Sequence, residues 1–263
     1  MATLPTGSRN EVRMILLGKT GGGKSSFGNT LIGAKEFTSG TSPNGVTEHC
    51  KCASRDFDNK KLFVVDTPGF LDPRIRRDDI QEEVAKAYQV TALPGPHAFL
   101  LIVEPKRFLS EDAEAINYLS DIFGPDAIKN TIIIFTNDDT FDPSEGETIE
   151  TYLQALTRES PLRTILDQCQ WRYLSVNNRG RETEKRKVIE KLLDMIASII
   201  AKNGGEGYRT TKFDKVAKVN DEEKAKGDYN PIKPDGSIIL HPKIKEIIVE
   251  DFLRRTVGRK VVH

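Results

Sequence analysis

An α/β fold with a mostly parallel central sheet flanked by helices is what this 263-residue sequence predicts. Three observations carry that reading. Short, near-continuous apolar runs recur along the chain, as strands covered on both faces require. Stretches of helical period lie between them, so strand and helix alternate. The first apolar run is followed at once by a glycine-rich loop that opens a helical stretch.

The strands are expected at "VRMILLG" (12–18), "KLFVVD" (61–66), "AFLLIV" (98–103), "TIIIFT" (131–136) and "WRYLSV" (171–176). The run "HCKCASRDF" (49–57) alternates more and reads as an edge strand antiparallel to its neighbour. Helices are expected at 24–33, 76–92, 110–123, 145–158 and 182–202; the last carries Val188, Leu192, Met195, Ile196 and Ile199 as a stripe of helical period. After "AKNGGEGYR" the pattern breaks, and 205–240 is polar, rich in Gly, Lys and Asp, and reads as a linker. A last helix over about 242–256 follows, with Ile244, Ile247, Ile248, Phe252 and Leu253 on one face behind a proline suited to its first turn. The expected division is a domain at 1–204 and, at 205–263, a polar linker with a C-terminal amphipathic helix.

Lys and Arg number 39, as do Asp and Glu, for a formal net charge of +0. That balance argues against a nucleic-acid partner bound through bulk charge. The three cysteines, Cys50, Cys52 and Cys169, cannot all pair with one another and complete no zinc site, so they read as free thiols in a reducing cytoplasm. The N-terminus has no apolar h-region, and no apolar stretch approaches the roughly 18–20 residues of a membrane helix. No membrane anchor is visible, which leaves only peripheral association with a membrane open.

The chemistry begins at "GKTGGGKSS", directly after the first strand. Gly18-x-x-x-x-Gly23-Lys24-Ser25 has the spacing of a P-loop. Bare backbone over Gly18, Lys19, Thr20, Gly21, Gly22 and Gly23 lets successive N–H groups point inward and, with the helix N-terminus, cradle phosphate oxygens. Lys24 can reach the β- and γ-phosphates, Ser25 can ligate Mg²⁺, and Ser26 can bond near the α-phosphate. "LFVVDTPG" supplies Asp66 as a second Mg²⁺ ligand, usually through water, and the Gly69 N–H for the γ-phosphate. Thr47, in a loop between the two motifs, can complete the Mg²⁺ shell. After "TIIIF", Thr136-Asn137-Asp138-Asp139 offers a carboxylate that can accept from guanine N1–H and N2–H₂ together, whereas adenine leaves it unpaired. The Thr-x-x-Asp spacing points to Asp139, with Asp138 as the alternative. Asn177 and Asn178, at the end of the last strand, can meet the guanine carbonyl through a side-chain amide or a backbone N–H.

Together "GKTGGGKSSFGNTLIG", "DTPGF", "LPGPHAFLLIVEPKRFLSED" and "NNR" resemble the GTPases of immunity-associated proteins and their plant AIG-type relatives, over roughly residues 10–202. The resemblance implies a P-loop G domain that binds GTP and GDP with Mg²⁺ and assembles with itself when loaded, because that family is similar to septins and to chloroplast import GTPases. Many small GTPases place a water-orienting glutamine just past the glycine of this turn; here Phe70 stands instead, and a phenyl ring orients no water. Slow or dimer-stimulated hydrolysis of GTP to GDP and phosphate is therefore expected. Arg107, just past a strand end, is the candidate to supply the missing charge across a homodimer docked through the nucleotide face. The alternative is a GTP-gated scaffold that barely turns over. An ATPase or nucleotide kinase on the same loop has no use for Asp139 or Gly69.

Overall fold

The computed structural model describes residues 10–39, 49–69, 77–108, 119–136 and 141–259, with backbone alone at 77–79, 107, 143 and 252–259. Six strands are present among the described residues: β1 Glu11–Leu17, β2 Lys51–Phe57, β3 Lys60–Asp66, β4 Ala98–Val103, β5 Thr131–Thr136 and β6 Tyr173–Val176. They form one sheet in the order β2-β3-β1-β4-β5-β6. β2 runs antiparallel to β3, and every other pair is parallel. The alternating run at 49–57 is thus the antiparallel edge strand, as its pattern predicts.

Seven α-helices lie wholly among the described residues: α1 Lys24–Ile32, α2 Arg77–Thr91, α3 Ile149–Gln154, α4 Pro161–Gln168, α5 Glu182–Lys202, α6 Thr211–Lys224 and α7 Pro242–Arg259. α1 and α5 cover one face. Phe27 and Leu31 from α1, and Leu192 and Ile196 from α5, meet Met14, Leu16, Leu100 and Ile134 of the strands there. The opposite face meets α2, α4, α6 and α7. Every residue of β1, β4 and β5 is buried, which explains their near-continuous apolar character; the buried Arg13 of β1 is paired with Glu11 at 3.3 Å.

Several sequence expectations shift. The helix expected at 145–158 is a short 3₁₀ turn at Pro143–Glu145 followed by α3, and Pro161–Gln168 is a helix beyond those the sequence predicts. Of the helix expected at 110–123, only the helical end at 119–123 lies within the described residues. The largest correction concerns 205–240. It is no bare linker, because it holds α6, whose N-cap Thr210 accepts from the Phe213 N–H.

This stretch reaches the main core. The Phe213 ring lies 4.3 Å from Tyr88 of α2, and the Tyr208 ring 5.6 Å from Phe99 of β4. Gln89 of α2 donates to Ile239 O at 2.8 Å and accepts from the His241 N–H at 2.8 Å, tying the chain between α6 and α7 to α2. The Cys52 N–H donates to Gly236 O at 2.9 Å, so the same stretch covers the outer edge of β2. Ile244 and Ile248 of α7 are fully buried and Ile247 is partly buried, so this part of the apolar face expected for the helix packs on the body of the protein; the side chains of Phe252 and Leu253 lie outside the described residues. Full burial of one such side chain is worth roughly 1.5–3 kcal/mol. Among the described residues no helix is long and apolar enough to cross a membrane.

Candidate functional site

β1, β3, β4, β5 and β6 are mutually parallel and end on one side of the sheet, at Leu17, Asp66, Val103, Thr136 and Val176. β1 lies between β3 and β4, so the crossovers leave in opposite directions on its two sides. That reversal marks the place beyond the strand ends where sheets of this kind bind ligands.

The glycine loop, between β1 and α1, lies at that place. Gly23 is the N-cap of α1 in the left-handed region, φ 94°, a conformation that side chains resist. The Lys19 carbonyl accepts from the Gly22 N–H at 3.2 Å and from Lys24 Nζ at 3.0 Å, so the lysine folds back over the loop. Thr136, at the end of β5, donates its hydroxyl to Gly22 O at 3.0 Å.

Ser25, in the first turn of α1, donates its hydroxyl to Asp66 Oδ2 at 2.6 Å, and both side chains are buried. The next residue, Thr67, donates to Leu16 O at 2.6 Å and fixes the turn after β3 onto β1. Gly69 then approaches the loop so closely that a Cβ on it would lie 2.5 Å from Thr20 N and 3.0 Å from Thr20 Cα. Only glycine fits.

Gly18 to Ser26, Asp66, Gly69 and Thr136 are therefore brought together. Asn178 and Asn177 lie at the margin and are engaged locally: Asn178 Oδ1 accepts from Thr30 Oγ1 of α1 at 2.9 Å, and Asn177 Oδ1 accepts from the Arg179 N–H at 2.8 Å. Arg107 ends a 3₁₀ turn, Pro105–Arg107, just past β4; its side chain lies outside the described residues, as do Thr47, Phe70, Asp138 and Asp139.

Sequence reasoning missed Thr67 and Thr30, whose hydroxyls hold the site's backbone in place. The signal for Thr67 was its position inside Asp-Thr-Pro-Gly; Thr30 carried none. It also missed Glu83 of α2, a buried carboxylate that accepts from the Cys50 N–H at 2.5 Å and from Lys86 Nζ at 2.6 Å. Glu83 anchors the start of β2 to the helix that follows the Asp66 turn.

Chemically, the arrangement offers inward backbone N–H groups and one lysine for phosphate, with a hydroxyl and a carboxylate for a hard cation. Among the described residues there is no cluster of three His, Cys, Asp or Glu able to hold a metal. A single carboxylate with a hydroxyl suits Mg²⁺ shared with phosphate rather than caged by protein.

A glycine loop of this spacing after β1, with Asp-Thr-Pro-Gly after β3, on a sheet of this order, defines a P-loop domain of the G-domain type. The chain belongs to the AIG1 family, whose sequence model matches residues 12–227. It is 32% identical over 217 residues to immune-associated nucleotide-binding protein 9 of Arabidopsis thaliana, covering 80% of this chain and 63% of that protein. It is 31% identical over 199 residues to GTPase IMAP family member 8 of Homo sapiens, covering 74% of this chain and 29% of that one. The chain thus spans less than two thirds of the length of these relatives. In three dimensions it is similar to Toc33 from Arabidopsis thaliana in complex with GDP and Mg²⁺, with a TM-score of 0.55 at 20% identity, covering 72% of this chain and 85% of that one.

Proposed function

We propose that this protein binds GTP and GDP with Mg²⁺ and that the triphosphate form assembles with itself. The observation that carries the reading is the Ser25–Asp66 hydrogen bond, 2.6 Å, beneath the glycine loop. It joins the two oxygen donors that a phosphate-bound Mg²⁺ needs, from elements 41 residues apart. In the proposed complex the N–H groups of Gly21 to Ser26 hold the phosphates and Lys24 turns from Lys19 O to the β- and γ-phosphates. Gly69 N–H meets the γ-phosphate, and Thr47 completes the metal shell. Asp139 reads the guanine edge, with Asn177 and Asn178 beside it. Mg²⁺ supplies charge neutralisation between the phosphates. The family's nucleotide-binding and GTPase members support this reading, as does Toc33 with GDP and Mg²⁺. Three buried free thiols, Cys50, Cys52 and Cys169, support a reducing cytoplasmic setting.

Hydrolysis is proposed to be slow in the monomer and faster in a dimer docked through the nucleotide face. Phe70 in place of a water-orienting side chain supports the first half. For the second, dimerization is important for the GTPase activity of atToc33. Arg107 is the residue we assign to reach across. A scaffold with negligible turnover is the competing reading, and Phe70 favours it equally. Phosphate release measured over a range of protein concentration separates them. Specific activity that rises with concentration, and a rise that Arg107→Ala flattens without weakening GTP binding, is the expected result. Light scattering with a non-hydrolysable GTP analogue reads assembly directly, and a mass that stays monomeric in both nucleotide states contradicts the dimer.

A further inference from the structure

A surface cavity of about 220 Å³ lies between α1, the end of β2 and the first turns of α5. Among the described residues three cations line it, Arg55 of β2 with Lys185 and Arg186 of α5, against one carboxylate, Glu182. None of Gly18 to Ser26 borders it, so it is separate from the glycine loop.

The three cations differ in how well they are matched. Arg186 is satisfied, since it meets Asp58 at 2.8 Å and Glu190 at 2.9 Å. Lys185 is largely buried and meets Glu182 at 2.9 Å, but the Glu182 side chain is 85% exposed, so water competes for that pair. Arg55 has no such partner. Its Nε is buried and meets no acceptor among the described residues. Burial lowers its pKa; Glu182 and Asp58 oppose the fall through charge alone, without a hydrogen bond, and Arg186 adds to it. Stacking holds the group instead. Arg55 Cζ lies 4.9 Å from the Phe57 ring centroid, and Arg186 Cζ lies 4.8 Å from the same centroid.

A partly desolvated guanidinium without an acceptor is a charge that an oxyanion would stabilise. Because Nε is closed to solvent, the two Nη groups are the donors that an occupant can reach. Stacking presets their plane, and a preset fork matches the oxygens of an oxyanion. Lys185 becomes the second donor when the exposed Glu182 swings into water. Thr30 also borders the cavity, but its hydroxyl is taken by Asn178 Oδ1 at 2.9 Å. The site thus offers charge rather than neutral donors, and two positive charges suit the dianionic phosphate group better than a carboxylate.

We infer that the cavity between α1, β2 and α5 is a binding site for a phosphate group, free or esterified, held by Arg55 and Lys185. It is distinct from the proposed nucleotide site and does not depend on it.

The test is a titration of the full chain with inorganic phosphate, O-phosphoserine and acetate at constant ionic strength, followed by the backbone amide NMR signals of Thr30 and Phe57. Phosphate also suits the glycine loop, so the wild type is compared with Lys24→Ala and Arg55→Gln. Saturable phosphate binding is expected to persist in Lys24→Ala, to weaken about tenfold or more in Arg55→Gln, and to be about tenfold tighter than acetate binding. Should Arg55→Gln fail to fold, Lys185→Gln makes the same comparison. Shifts that vanish in Lys24→Ala, or that persist unchanged in Arg55→Gln, overturn the inference. Acetate bound as tightly as phosphate overturns the assignment to phosphate. Phosphoserine bound more tightly than phosphate supports the esterified form, and equal or weaker binding supports the free ion.

Discussion

Ser25 and Asp66 are 41 residues apart in sequence, yet the Ser25 hydroxyl donates to Asp66 Oδ2 at 2.6 Å. The bond joins the first turn of α1 to the end of β3 and needs no ligand to form. In the proposed complex Mg²⁺ would replace it, with Ser25 and Asp66 as the residues that hold the cation. Ser25→Ala removes one oxygen donor and leaves the nest and Lys24 intact. The expected outcome is that Mg²⁺ no longer tightens GDP binding as it does in the wild type, while affinity in the presence of a chelator changes little. Isothermal titration with and without Mg²⁺ reads both. An unchanged Mg²⁺ increment means that Ser25 is no metal ligand.

The C-terminal stretch is the second test. Phe213 is fully buried, in contact with Tyr88 and 6.4 Å from the Phe123 ring. Lys212 donates to Ile122 O at 2.6 Å and to Asp251 at 2.9 Å. Phe213→Ala is expected to cost about 3–5 kcal/mol of stability, seen as a lower denaturant midpoint. A chain ended at residue 204 uncovers the same surface and is expected to lose cooperative unfolding or to aggregate. A truncated chain that melts as the full one does would support the division at 204 as a domain boundary.

How legible was this in the sequence? The strands of the sheet were, because β1, β4 and β5 are buried on both faces and near-continuous apolar runs have one ready explanation. The glycine loop and Asp66 were, because the chemistry leaves little freedom in residue type or spacing. α6 was not. Its buried residues are Lys212, Phe213, Val216, Ala217, Val219 and Asn220, only three of them large and apolar, amid lysines and acids. The spacing of Phe213, Val216 and Ala217 behind a Thr210 cap was a helix signal, but low mean hydropathy masked it. α4 has a strong apolar face, Leu162, Ile165 and Leu166, but its eight residues lie in the gap between the helix expected at 145–158 and the strand expected at 171–176, too short a stretch to show helical period clearly. The brace from Thr136 to the glycine loop was beyond reach, since it depends on where β5 ends in space.

Acid stability gives a third test. His97 is buried where Arg13 N–H donates to its Nδ1 at 2.9 Å. Burial, with Arg13 and Lys60 nearby, lowers its pKa to about 4. Folding thus favours the neutral ring, and the unfolded chain takes up a proton that the folded one refuses. Its contribution is full above about pH 6.5 and is lost as pH falls from there toward 4, by at most roughly 3 kcal/mol. His97→Asn keeps an acceptor for Arg13 and removes the titration. Urea midpoints at pH 7 and pH 4.5 are expected to differ less in this variant than in the wild type. Equal differences would show that His97 contributes no acid sensitivity.

The central claim is a guanine nucleotide site built on Gly18 to Ser26, Asp66 and Asp139. Direct titration of the wild-type chain with GDP and with ADP, in Mg²⁺, tests it most plainly. One site is expected, with GDP bound at least about a hundredfold more tightly than ADP, since adenine leaves the base-reading carboxylate without donors. ADP bound as tightly as GDP, or no saturable binding of either, contradicts it.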